Sequence, residues 1–70
     1  MAASYKKLWK LLIDRDMKKK DLRELTKLSS STIAKMTKNE PVSTDVLIKI
    51  CAVLNCDVGD IMEIVPDSKE

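Results

Sequence analysis

Apolar residues recur along the chain at the three- and four-residue spacing of amphipathic helices. In the first segment, residues 5–15, the lysines occupy one face and the opposite stripe holds Tyr5, Leu8, Trp9, Leu12 and Ile13. Ser4 precedes the segment and belongs to the residue types that cap helix N-termini. The pattern predicts a first helix over about 5–15 with Ser4 as its N-cap.

Two shorter periodic segments follow, separated by a turn at Leu28. We expect a second helix over about 19–27, with Leu22 and Leu25 facing inward and Met17 buried just before it. Asp21 suits the positive end of this helix dipole. A third helix is predicted over about 30–38, with inward Ile33 and Met36. Ser29 is its expected N-cap, Asn39 can take the left-handed conformation that ends a helix, and Pro41 disfavours continuation.

The most hydrophobic segment lies between Ser43 and Asn55, the expected cap and end of a fourth helix. Its broad inward stripe consists of Val46, Leu47, Ile50, Cys51 and Leu54, widened by Val53. Asp57 is the expected cap of a short fifth helix that packs Ile61 and Met62 inward. Ile64 and Val65 either cover the end of the core or form a dimer surface. The sequence thus predicts one compact all-α domain over 1–70, with its core in about 4–65 and a polar tail over 66–70.

Composition supports this fold class, because seventy residues suffice for one domain at most. The chain has one glycine, two prolines and no phenylalanine, which does not favour an all-β fold. The longest apolar run near the N-terminus, Leu11-Leu12-Ile13, is too short for a signal peptide or a membrane span. We therefore expect a cytoplasmic protein without a membrane partner.

The charge is unevenly distributed along the chain. Residues 18–40 contain seven basic and three acidic residues, a net charge of +4, whereas residues 41–70 contain two basic and six acidic residues, a net charge of −4. The middle of the chain is a candidate for contact with a polyanion, and the last third is not.

Candidate catalytic and metal-binding chemistry is sparse. The chain has no histidine, no nucleophile paired with a base at a credible spacing and no glycine-rich phosphate loop, so we expect no enzyme activity. Cys51 and Cys56 alone make a poor zinc site, and reduced thiols with at least one in the core are favoured over a metal or redox pair. No metal and no small-molecule cofactor are predicted.

Two short helices joined by a brief turn, the second opening on polar side chains, form the helix-turn-helix arrangement. Residues 17–63 resemble the Cro/phage-repressor (XRE-type) helix-turn-helix family of transcriptional regulators. The resemblance depends on Met17, Leu22, Leu28-Ser29, Thr32-Ile33, Val42-Ser43, Val46-Leu47-Ile50 and the acidic ending Leu54–Ile61. It implies a compact five-helix, lambda-repressor-like domain with helices 2 and 3 as the helix-turn-helix.

Three positions differ from the family pattern. Lys19 stands where the family often has a glutamine that contacts DNA phosphate, and a lysine keeps that role by charge. Arg23 stands where a small residue is common, so its long side chain must leave the helix crossing sideways. Lys27 stands where glycine is frequent and is expected to adopt an unfavourable backbone angle.

The resemblance also implies the function, sequence-specific binding of double-stranded DNA by a small transcriptional regulator, with a repressor expected. The third helix would enter the major groove and read bases through Ser30, Ser31, Thr32 and Lys35. Phosphates would be held by Lys19, Lys20, Lys38, Asn39 and Ser43. A homodimer is expected, associated with the nucleoid when bound to DNA.

Simpler interpretations compete with these assignments. The serine run 29–31 could be only a helix cap with hydrophilic neighbours, and the lysine run 18–20 could be an ordinary solvated face. Lysines at a helix start oppose the dipole, however, which favours an anion there. The alternative function is a protein-interaction module on the same scaffold, such as an antitoxin-like protein that binds its partner through the acidic last third.

Overall fold

The computed structural model describes residues 2–66, which form four α-helices and a small two-stranded antiparallel sheet that pairs the two ends of this range. The elements are β1 (Ala2–Ser4), α1 (Lys6–Asp14), α2 (Lys19–Thr26), α3 (Ser30–Thr37), α4 (Thr44–Leu54), a 3₁₀ turn (Val58–Asp60) and β2 (Glu63–Val65). Most of the predicted polar tail, residues 67–70, lies outside the described residues. The four α-helices confirm the first four helical segments predicted from periodicity.

The core lies where the helical stripes meet. Its buried apolar side chains come from every helix and from the ends of the fold, and they are Tyr5, Leu8, Leu12, Leu22, Ile33, Met36, Ile50, Leu54 and Ile61. Met17 and Leu28, the two apolar residues in the connections, are half-buried against this core. Burial of these side chains is the main force that holds the short helices together, because helices of eight to eleven residues are marginal alone.

The prediction of a fifth helix is wrong. Asp57 does cap the segment, since its Oδ1 accepts the backbone N–H of Val58 at 2.7 Å, but only a three-residue 3₁₀ turn follows. Asn55 ends α4 in the left-handed conformation, and β2 begins at Glu63. The segment between them forms only one short turn, in which Asp60 N–H donates to the carbonyl of Asp57 and the N–H groups of Ile61 and Met62 donate to that of Val58. So few bonds offset little of the cost of starting a helix.

The two-stranded sheet is the second departure from the predicted all-α fold. Ala2, Ala3 and Ser4 pair with Val65, Ile64 and Glu63, in that order. Ser4 is therefore the last residue of β1 rather than the cap of α1, although its Oγ accepts the backbone N–H of Lys6 at 3.4 Å. Tyr5 occupies the N-cap position of α1 without a side-chain cap bond. Ile64 is 59% exposed, so it does not seal the core.

Three inward assignments were also wrong: Leu25, Ile13 and Val53, of which Val53 lies at the edge of the α4 stripe and is 37% exposed. Leu25 is 58% exposed, because the buried face of α2 is formed by Leu22 and Thr26, and position 25 lies beside that face. Thr26 satisfies its hydroxyl within the helix by donating to the carbonyl of Leu22 at 2.7 Å. Ile13, at the edge of the α1 stripe, is 72% exposed.

The turn between α2 and α3 sets the position of the third helix. Lys27 ends α2 with φ 60° and ψ 26°, the left-handed conformation expected where the family often has glycine. Leu28 then packs on the core, and Ser29 starts α3 in an extended conformation. Two short helices joined by this three-residue turn form the helix-turn-helix predicted from the sequence.

Candidate DNA interface

The first turn of α3 carries a cluster of hydroxyl groups centred on Ser29. The Oγ atom of Ser29 accepts the backbone N–H of Thr32 at 3.2 Å, which caps the helix. The same atom lies 3.0 Å from Ser31 Oγ and 3.0 Å from Thr32 Oγ1. Ser30 and Ser31 are exposed and Thr32 is half-buried. The hydroxyl run therefore both caps the helix and presents an ordered polar tip to solvent.

Two cations of α2 reach α3 at opposite ends. Lys19 Nζ donates to Thr37 Oγ1, 3.1 Å away, in the last turn of α3. Arg23 Nη1 donates to Ser30 Oγ, 3.0 Å away, in the first turn. Lys19 and Arg23 are four residues apart on α2 and so share one face of that helix. Positive charge thus lies beside the exposed helix α3 at both of its ends.

Trp9 of α1 contacts Lys19, the lysine near the carboxyl end of α3. The ammonium group of Lys19 lies 4.3 Å from the centroid of the Trp9 ring, a cation–π contact. The ring is half-buried and packs against the core. This contact places the only tryptophan of the chain beside one of the predicted phosphate-binding residues.

A shallow groove of about 320 Å³ separates α3 from the start of α4. Three predicted site residues line it together, Thr32, Lys35 and Ser43, along with Pro41, Val42 and Val46. Lys35 is exposed, and Ser43 caps α4 by accepting the N–H of Val46 at 3.4 Å. The groove joins the exposed face of α3 to a helix N-terminus, a place that favours anions.

The remaining predicted phosphate contacts lie near the carboxyl end of α3. Lys20 is exposed in the first turn of α2 next to Lys19, and Lys38 is exposed directly after Thr37. Asn39 has a structural role: with φ 59° it ends the turn after α3, and its Oδ1 accepts the backbone N–H of Tyr5 at 3.1 Å. Only the amide N–H groups of Asn39 are left for an external acceptor.

Sequence reasoning missed Arg23 and Thr37 as members of this surface. The spacing of four residues from Lys19 was a signal for Arg23, because it places both side chains on one face of α2. Thr37 gave no such signal. Its hydroxyl accepts from Lys19 and donates to the carbonyl of Ile33 at 3.0 Å, contacts that depend on how α2 and α3 cross.

The two cysteines lie away from this surface. Both are free, half-buried and packed against the core. Burial, together with the neighbouring Cys56 thiol and the carboxylates of Asp57 and Asp60, raises the pKa of Cys51 to about 11. A thiol with so high a pKa is a poor nucleophile at neutral pH. None of the helices within residues 2–66 is long and apolar enough to cross a membrane.

Comparisons with known proteins agree with this geometry. A family model described as the Cro/C1-type HTH DNA-binding domain matches residues 7–67. A crystal structure of the transcriptional regulator VanUg superimposes with a TM-score of 0.92 at 62% sequence identity, covering 94% of this chain and 88% of that one. Among curated proteins no match was found. The matched family model spans most of the chain, including the whole helix-turn-helix, and the chain belongs to the Cro/C1-type helix-turn-helix DNA-binding domain family.

Proposed function

We propose that the protein is a transcriptional repressor that acts by occupying a specific site on duplex DNA, with α3 in the major groove. The observation that carries this proposal is the juxtaposition of the exposed hydroxyl tip of α3 with basic side chains at both ends of the same helix. The similarity of this chain to a transcriptional regulator over 94% of its length supports the regulatory role. Occupancy alone represses by blocking polymerase, which requires no catalytic group.

Base recognition is assigned to the exposed side of the first two turns of α3. Ser30 and Ser31 can donate to or accept from base edges, and the methyl group of Thr32 can contact a thymine methyl. Lys35 lies one turn further on and can donate to guanine O6 and N7. Short hydroxyl side chains allow the helix backbone to approach the groove closely, which agrees with their position at the tip.

Phosphate contacts are assigned to residues at the margins of α3. Lys19, Lys20 and Lys38 flank its carboxyl end, and Ser43 lies across the shallow groove from Lys35. Asn39 contributes through its amide N–H groups. Arg23 joins this set at the amino end, where its contact with Ser30 holds a guanidinium beside the tip. Such contacts fix the register of the helix on the duplex without reading sequence.

A single module of this size covers one half-site, so we infer binding as a homodimer to a pseudo-palindromic site. The place of action would be the cytoplasm, at the nucleoid when DNA is bound.

Selection of bound sites from a random duplex pool supplies the ligand for the decisive experiment, a salt titration of affinity. The logarithm of the association constant should fall steeply with the logarithm of salt concentration, in proportion to the phosphates contacted. Lys19→Ala should weaken binding to all sequences and reduce the slope by about 1. Lys10→Ala is the matched control, because Lys10 is exposed on α1 and lines a different groove with Asp14 and Asp60.

Base reading is tested separately with Ser31→Ala, which should change preference among duplexes while the salt slope stays the same. If no duplex binds even at low salt, or if affinity does not depend on salt, the protein-interaction alternative is favoured. If both variants bind like the parent protein, the residue assignments are wrong even though the family is established.

A further inference from the structure

A second surface of the protein is apolar and lies beside the shallow groove between α3 and α4. Two grooves, of about 330 and 450 Å³, meet at Leu47, which lines both. Together they form a continuous apolar strip, defined by Met62, Ile64, Leu47, Ile48, Cys51 and Val58. Within residues 2–66 six large apolar side chains are exposed, and three of them, Ile48, Val58 and Ile64, belong to this strip. Clustered exposure of this kind marks an interaction surface, unlike single scattered residues.

The strip is almost free of charge, although the last third of the chain is acidic. Of the described residues that line its two grooves, Asp57 alone is charged. Asp60 instead lines a groove with Lys7 and Lys10 of α1 and with Arg15 just after this helix, and Glu63 lines one with Lys6. Because Asp60 and Glu63 line other grooves, two copies of the strip can approach each other without strong repulsion.

The strip also has a fixed relation to the DNA-facing side. Pro41 and Val42 line both its first groove and the shallow groove between α3 and α4. Ser30, Ser31 and Lys35 line neither of the two grooves that form the strip. A protein bound on the strip therefore lies next to α3 and leaves its exposed face open.

We propose that the apolar strip is where a second copy of this chain packs, with Ile48 at the centre of a two-fold contact between α4 helices. The inference rests on the proposed function, because it names the surface that joins the two half-site readers. Exposed Asp45 and Lys49 lie one turn apart on the outer flank of α4. When two α4 helices run antiparallel across Ile48, Asp45 of each copy faces Lys49 of the other, so the flank is self-complementary.

Ile48→Glu in the full chain tests the apolar part of this contact. Sedimentation equilibrium should show a dimer for the parent protein and a dissociation constant raised by about 30-fold or more for Ile48→Glu. Ile13→Glu is the matched control, since Ile13 is equally apolar and 72% exposed but lies on α1, away from the strip. Circular dichroism checks that both variants are folded.

Charge exchange along α4 tests the two-fold geometry. Asp45→Lys and Lys49→Asp should each weaken the dimer by about 10-fold, because each places like charges opposite one another. The double variant Asp45→Lys/Lys49→Asp restores opposite charges across the axis and should recover dimerisation. Failure of the double variant to recover, with both single variants weakened and all three folded, overturns the antiparallel arrangement.

The outcomes separate this inference from the proposed function. A parent protein that stays monomeric at about 0.5 mM, or an Ile48→Glu variant that dimerises as the parent does, overturns the strip as the contact surface. Binding of the same monomer to a single half-site duplex would leave the DNA-binding proposal standing. A dimer that is disrupted by Ile48→Glu but binds no duplex would support the strip and refute the proposed function.

Discussion

Replacement of Lys27 by glycine should stabilise the protein through the backbone of the turn between α2 and α3. Lys27 has φ 60° and ψ 26°, where a Cβ atom crowds the following carbonyl oxygen. The left-handed conformation costs a residue with a Cβ about 1–2 kcal/mol. Glycine avoids that cost but loses about 0.5–1 kcal/mol more conformational freedom on folding. The backbone effect alone should therefore favour glycine at position 27 by about 0.5–1 kcal/mol in the free energy of unfolding.

The side chain and the backbone conformation of Lys27 contribute separately to the free energy of unfolding, so a second variant is needed to distinguish them. Lys27→Ala keeps the Cβ atom and removes the charge, which interacts favourably with the carboxyl end of α2 by about 0.3–1 kcal/mol. Lys27→Ala should therefore be slightly less stable than the parent protein. Because both variants lose the lysine charge, the difference between the glycine and alanine variants isolates the backbone effect, which we expect to be about 0.5–1 kcal/mol.

Urea denaturation followed by circular dichroism measures these differences, and in a thermal melt Lys27→Gly should unfold about 4 °C above Lys27→Ala. Asn55→Gly serves as a comparison. Asn55 has φ 53°, but asparagine tolerates this conformation, so the gain should be smaller. Equal stability of Lys27→Gly and Lys27→Ala would refute the reasoning, because the two differ only in the Cβ atom.

Two further predictions concern the core and its thiol. Ile50→Ala removes a fully buried side chain from α4 and should cost about 2–5 kcal/mol. That is a large share of the about 4–10 kcal/mol expected for a chain of this size, whereas exposed Ile13→Ala should change stability by less than about 0.5 kcal/mol in the same urea titration. Because burial raises the pKa of Cys51 to about 11, the thiol is protonated in the folded state while the unfolded chain already ionises, so the free energy of unfolding should fall as the pH rises from about 9 to about 11. Urea midpoints at pH 8 and pH 10 measure this loss; an equal loss in Cys51→Ala would assign the pH dependence to other groups.

Hydrophobic periodicity was sufficient to predict the buried residues where a helix has a clear stripe of apolar side chains. Leu8 and Leu12 on α1, and Ile50 and Leu54 on α4, repeat at four-residue spacing and are buried as predicted. It failed on α2, where Leu22 could pair inward with Leu25 or with Thr26. The apolar side chain of Leu25 favoured Leu25 as the inward residue. Thr26 is buried instead, and its hydroxyl is satisfied by a hydrogen bond to its own helix.

The two-stranded sheet and the contact between Arg23 and Ser30 could not be predicted from the sequence for a different reason. Each strand has only three residues, too few for an alternating pattern, and Ala2 pairs with Val65 at the other end of the described range. The bond from Arg23 to Ser30 depends on the angle between two helices, which periodicity does not specify. Features formed by tertiary contacts were therefore not predicted from the sequence, whereas features encoded within one helix were predicted.

The pairing of β1 with β2 has a consequence for the topology of the chain. Because Ala2 lies opposite Val65, a short glycine-rich linker could join the two strands, and the backbone could be reopened in the exposed connection after α3. Such a circular permutant would keep the helix-turn-helix intact and would move both new termini next to the shallow groove between α3 and α4. The fold therefore offers a position for a fused sensor or effector that would be controlled by DNA occupancy.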